Sequence, residues 1–302
     1  MKKLFLIVVM TGLIMSCSKQ VLPDKTVIMV SILPQKYFVE RIAGDKVDVK
    51  VMIPPGASPA TYEPAPSDVI NLHKTSAYFR IGYIGFELSK MEDISGLNKK
   101  MKVYDCSEGV ELIYGDHEHE EAEHDNEEAE RDNEEDDHGH SGVNPHIWLS
   151  PKAVKIIADN ILKGLAETDP ENIEFYRKNH QAFTSDLEKL DMEIGVMLKD
   201  AQNRKFIVYH PAWSYFAHDY GLEEIPVEIN GKEPSAGAIK NLIDKARAED
   251  IKVVFVQKQF DRKLAENIAA ETGGRVIQLD PLEEKWFDNM IVIARNFQFE
   301  LK

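Results

Sequence analysis

Ten histidines are spread unevenly through this 302-residue chain. Five of them, His117, His119, His124, His138 and His140, fall in one stretch, 116–140, made otherwise of Asp, Glu, Asn, Ala, Gly and a single Arg131. Charge alone reads as a solvated, self-repelling loop. Imidazoles mixed with carboxylates, however, are also a weak, multivalent donor set for divalent cations, and pure charge would not need five of them. His146 follows in Asn144-Pro145-His146-Ile147-Trp148-Leu149-Ser150-Pro151, where an irregular segment meets an apolar run. His210 lies in Tyr209-His210-Pro211-Ala212-Trp213-Ser214-Tyr215-Phe216, at the end of a predicted strand that Pro211 breaks. Asp280 stands in the same relation to a predicted strand over 275–279 and is also followed by a proline, Pro281. In open α/β sheets, ligands bind beyond the carboxyl ends of strands. Two imidazoles and a carboxylate make a borderline donor set suited to a transition metal, with Zn²⁺ favoured. A lone histidine before an apolar run is more often a satisfied core residue, and these three are far apart in sequence, so spacing alone does not prove a site. His73, His180 and His218 read as surface or capping residues on helices. Trp148, Trp213, Tyr215 and Phe216 read as core, or as an apolar wall that keeps a site dry.

The elements that must position these residues alternate. Strands are predicted at 26–32, 47–53, 77–81 and 102–105, with helices over 36–43 and 67–76. This rhythm argues for a parallel sheet covered on both faces. Ser150-Pro151 opens a helix, with Ser as N-cap and Pro in the first turn. Asp169-Pro170 opens another that runs to about Lys199. On it Tyr176, Phe183, Leu187, Leu190, Ile194 and Met197 recur at steps of seven, four, three, four and three, one apolar stripe. A rod of roughly 45 Å is long for one compact domain. It reads either as a leg of a coiled coil or as a strut against two lobes. The α/β rhythm then resumes, with strands at 206–209, 226–229, 251–256 and 275–279 and helices at 235–248, 262–272 and 286–297. The fold class is therefore α/β: two lobes with parallel sheets joined by one long helix.

The start of the chain reads as an address. Lys2 and Lys3 precede an apolar run, Leu4 to Ile14, too short to span a bilayer. Leu13-Ile14-Met15-Ser16-Cys17 resembles a bacterial lipobox. It implies a signal peptide over 1–16, lipid on Cys17 and a tether over 17–25, so that acyl chains hold an exported protein on a membrane surface, in the periplasm or outside the cell. The remaining boundaries are an N-terminal lobe over 26–168 with a disordered loop at 116–140, a linking helix over 169–200 and a C-terminal lobe over 201–302. Cys106, the only other cysteine, reads as a packed small hydrophobe. Net charge is −16, but 116–137 holds fourteen acids and one base, so the rest of the chain carries only −3. Nothing in that balance supports nucleic-acid binding.

Three segments, Asn144 to Pro151, Tyr209 to Trp213 and Leu279-Asp280-Pro281-Leu282, resemble signatures of the zinc/manganese substrate-binding proteins of ABC importers, as does Gly56 to Asp68. Glu228 to Ser235 and Gln259 to Gly273 fit the same pattern, so the resemblance covers essentially the whole mature chain. It implies a metal in the cleft between two lobes, bound by His146, His210 and Asp280. It also implies partners in a permease and its cytoplasmic ATPase, and a monomer. His at 210 points to the zinc branch, because imidazole suits Zn²⁺ and carboxylate suits Mn²⁺; Mn²⁺ is the less favoured cargo. One departure matters. The family places a histidine where this chain has Ala60. Three protein ligands remain, with water or a loop histidine, His138 or His140, as the favoured fourth contact. Glu63, weaker affinity and a different ligand stay open.

The function these residues favour is binding, not catalysis: capture of Zn²⁺ outside the cytoplasmic membrane and delivery to the permease. A surface metal buffer or adhesin with a degenerate cleft is the alternative. A zinc hydrolase is disfavoured, since three ligands plus water would need a general base and no His-Glu-x-x-His motif is present.

Overall fold

In a computed structural model, residues 25–114, 142–228 and 231–302 are described. The predicted signal, Cys17, most of the tether, and His117, His119, His124, His138 and His140 with their loop lie outside them.

Two four-stranded sheets, all parallel, form the described chain. The first contains β1 (Thr26–Val30), β2 (Val47–Val51), β3 (Ala77–Arg80) and β4 (Lys102–Asp105), in the order β2-β1-β3-β4. The second contains β5 (Lys205–Val208), β6 (Glu223–Pro226), β7 (Val253–Gln257) and β8 (Arg275–Leu279), in the order β6-β5-β7-β8. Each lobe thus repeats one winding, with its strand order reversing between the two central strands. β1 and β7 are buried β-branched runs, as central parallel strands covered on both faces must be.

Helices α1 (Leu33–Ala43), α2 (Pro66–Ile70), α3 (Gly85–Leu97) and α4 (Pro151–Thr168) accompany the first sheet. α5 (Ile173–Leu198) follows, and α6 (Ser214–Tyr220), α7 (Ala236–Ala248), α8 (Arg262–Thr272) and α9 (Trp286–Glu300) accompany the second. α4 starts where Ser150 Oγ accepts from Ala153 N at 3.0 Å, and α7 where Ser235 Oγ accepts from Ala238 N at 3.2 Å. Against the sheet, α4 sits so close that a Cβ on Gly164 would lie 2.2 Å from the Phe79 ring, so only glycine fits there.

α5 has 26 residues, roughly 39 Å of helix, and a single 3₁₀ turn over Pro170–Asn172 leads into it. Its buried stripe is Tyr176, Phe183, Leu187, Leu190, Ile194 and Leu198. Leu198, four residues after Ile194, is the fully buried end of the stripe, and the predicted Met197 beside it is partly buried against the same core. α5 packs on α1 and α4 of the first lobe and on α9 of the second, so it is a strut and not half of a coiled coil. Through it, one hydrophobic cluster runs from Ile28 in β1 to Phe297 in α9.

Two helices are unexpected, and one strand is shifted. α3 is a full helix that the sequence pattern does not announce: Gly85, Ser89, Ser95 and Gly96 dilute its apolar face. α6 likewise follows His210 without a separate signal. The strand expected at 226–229 lies at Glu223–Pro226, because pairing with β5 selects the backbone register and overrides the apolar look of Val227.

Candidate metal centre

His210 comes two residues after β5, and Gln257 ends β7; these are the neighbouring central strands where the order of the second sheet reverses. His146 arrives from the first lobe, just ahead of a 3₁₀ turn over Ile147–Leu149. The two imidazoles meet edge to face, with ring centroids 5.2 Å apart. Both line a small cavity of about 20 Å³ with Ser58, Pro59, Ala60 and Gln259. That is room for about one water-sized particle, which is also the scale of a single ion.

Each ring is held by its Nδ1. His146 Nδ1 lies 2.7 Å from Asn144 Oδ1, and Asn144 Nδ2 is already spent on Pro211 O and Ser214 Oγ at 3.0 and 2.9 Å. The Asn144 oxygen must therefore accept, so the proton of neutral His146 sits on Nδ1. His210 Nδ1 lies 2.7 Å from Glu228 Oε2, a carboxylate that only accepts when ionised. In both rings Nε2 is left as the lone-pair nitrogen, the form in which imidazole binds a metal. His146 is also pushed well below the ordinary histidine range, first by burial and then by the neighbouring His210. It is neutral at physiological pH, and protons compete little for its lone pair.

The surroundings are rigid and largely apolar. Trp148 tilts over His146 with centroids 5.0 Å apart, and Phe260 stacks on His210 at 5.2 Å and 19°. Gln257, which is buried, donates from Nε2 to the His210 carbonyl at 2.6 Å. Trp148 Nε1 donates to Pro281 O at 2.8 Å, and Trp286 Nε1 to Trp148 O at 2.7 Å. These bonds tie the segment of His146 to the segment of Asp280.

Asp280 itself does not join the histidine pair. Its Oδ2 pairs with Lys258 Nζ at 2.9 Å and its Oδ1 accepts from Leu282 N at 2.9 Å. It lines an adjoining cleft of about 370 Å³ that shares Gln259 and Leu282 with the small cavity. Among the described residues no group of three or more His, Cys, Asp or Glu side chains converges as a ready metal cluster. Ala60 faces the pair without a donor, and Glu63 is exposed and does not line the cavity. His73 and His218 are exposed, and His180 pairs with Asp159 at 2.7 Å, away from the site. Cys106 is fully buried.

Asn144, Glu228, Gln257 and Lys258 were not legible as partners from sequence. Two of them follow from strand register. Val208 pairs with Pro226, so two residues on His210 meets Glu228. Gln257 pairs with Leu279, so one residue on Lys258 meets Asp280. The predicted offset of β6 hid the first.

The same chain pattern occurs in known proteins. The high-affinity zinc uptake system protein ZnuA of Bacillus subtilis is 31% identical over 263 residues, covering 86% of this chain and 79% of that protein. The zinc-binding lipoprotein AdcA of Streptococcus pneumoniae is 28% identical over 283 residues, 89% of this chain; the chain spans about half, 53%, of that relative. A crystal structure of a zinc-bound ZnuA deletion mutant superposes with a TM-score of 0.81 at 40% identity, covering 92% of this chain and 99% of the other. With residues 28–298 matched by the family model described as "Zinc-uptake complex component A periplasmic", this chain belongs to that zinc-uptake family.

Proposed function

We propose that this protein captures Zn²⁺ outside the cytoplasmic membrane and delivers it to the permease of an ABC importer driven by a cytoplasmic ATPase. The observation that carries the reading is the histidine pair. Two imidazoles from different lobes meet over a space the size of one ion, each with its proton held on Nδ1 and Nε2 left to donate. His146 and His210 are the first two ligands and Asp280 the third protein donor. Water fills the place that Ala60 leaves empty of donors, unless a loop histidine reaches it. Two imidazoles in the set favour Zn²⁺ over Mn²⁺.

The protein acts at a membrane surface, held by lipid on Cys17. The lipobox-like Leu13 to Cys17 supports this, and a relative in Streptococcus pneumoniae bears the description lipoprotein. Among the described residues no helix is long and apolar enough to cross a membrane.

Calorimetry on metal-free protein tests the reading. One saturable Zn²⁺ site at micromolar protein, tighter than any Mn²⁺ site, is expected. No saturable Zn²⁺ site, or a preference for Mn²⁺, contradicts it.

A further inference from the structure

β7 and β8 end in register, and the residue after each carries an opposite charge: Lys258 after Gln257, Asp280 after Leu279. The parallel ladder therefore builds this ion pair at the edge of the histidine cavity. Asp280 is held tightly. Its main-chain oxygen accepts from Asn289 Nδ2 at 2.7 Å and its Oδ1 from Leu282 N at 2.9 Å. Its side chain is 16% exposed. Oδ2 is the oxygen left for a metal, and Lys258 Nζ occupies it at 2.9 Å. Lys258 differs in freedom: its side chain is 56% exposed, on a flexible four-carbon stem that can withdraw into the open cleft.

We infer that Lys258 is a specificity-determining latch: its ammonium occupies Asp280 Oδ2, and metal capture at the His146–His210 pair exchanges this internal cation for the incoming one at that oxygen. The inference rests on the reading of that pair as a Zn²⁺ site. A monovalent ion that brings no more charge than the ammonium gains nothing by the exchange, whereas a divalent ion with affinity for imidazole does. On release the ammonium returns, so the carboxylate is never left buried without a partner, a state that costs more than the pair itself is worth. The latch lowers affinity and makes departure easier, which suits a protein that must surrender its cargo.

The test is a Zn²⁺ titration of the metal-free full chain against a chromophoric chelator, in the wild type and in Lys258→Met, Lys258→Arg, Asp280→Asn and the Lys258→Met/Asp280→Asn pair. Lys258→Met should bind up to about fivefold tighter, since it removes the competitor for Asp280 Oδ2. Lys258→Arg, which keeps the charge, should stay within about twofold of wild type. In the Asp280→Asn background, Lys258→Met should change affinity by less than about twofold, because the contested oxygen is no longer charged. Wild-type binding with Lys258→Met no tighter overturns the latch alone. Equal tightening with and without Asp280 also overturns it, by showing a bulk charge effect. Absence of a Zn²⁺ site in wild type and Lys258→Met alike overturns the functional reading, and the latch with it.

Discussion

Glu228 does for His210 what Asn144 does for His146: it accepts the hydrogen bond from Nδ1–H and leaves the Nε2 lone pair free to bind. The two differ in charge. A carboxylate on Nδ1 makes the ring more electron-rich and a stronger ligand, and partners of this kind commonly contribute 10- to 100-fold to metal affinity. Glu228→Ala should weaken Zn²⁺ binding by about that factor, and Glu228→Gln, which keeps an acceptor, should recover part of it. Competition titration reads both. Equal affinity in Glu228→Ala and wild type would show that the contact does not position the ligand. At this scale the sequence marks His146 and His210 as candidates but not the orientation of their rings. His146 and His210 are marked by their settings, the junction of an irregular segment with an apolar run and a strand end. Their partners depend on side-chain geometry and on a two-residue continuation of strand register, neither of which a single sequence displays.

α3 meets the end of β3 through one buried side chain. Glu87 is fully buried, accepts from Ile81 N at 2.9 Å and Gly82 N at 2.7 Å, and also receives Ser31 Oγ. The acid thus caps the backbone where the chain leaves the sheet. Burial pushes Glu87 up to about 7, while the hydrogen bonds from Ser31, Gly82 and Ile81 act in the opposite direction. Unfolded, the same group titrates near its ordinary 4.5. The folded state therefore holds more protons between those values, and stability falls as pH rises. The contribution of Glu87 is fully present below about 4.5 and is lost as pH climbs through about 7. Its size is of the order of 3 kcal/mol. The melting temperature of Glu87→Gln, measured from pH 5 to 8 on metal-free protein, should lack this part of the fall. The gap between wild type and variant should shrink or reverse as pH rises. A gap independent of pH would show that Glu87 does not titrate in this range. The sequence did not announce α3, so this clamp was out of reach. Where capping chemistry was explicit, as at Ser150-Pro151 and Ser235, the helix starts were plain.

At the scale of the whole molecule, two sheets of the same winding are bridged by α5, and the histidine pair lies just beyond the carboxyl end of β5. The stripe on α5 made that architecture readable, since a long amphipathic rod between two α/β rhythms has few other uses. The meeting of His146 and His210, 64 residues apart, is a property of the assembled lobes and not of any segment. The two imidazoles meet, while Asp280 stands in an ion pair with Lys258 in the adjoining cleft. Tyr114 and Val143, which flank the acidic, histidine-rich stretch in sequence, form an antiparallel bridge. Residues 116–140 can therefore be removed, keeping Gly115 and Ser141 as the join, without separating the strands of either lobe. Zn²⁺ titration of that deletion beside His146→Ala/His210→Ala tests the central claim most directly. The account predicts that the deletion keeps one saturable tight site and that the double substitution abolishes it. If binding disappears with the loop and survives loss of both histidines, the cleft is not where this protein holds its metal.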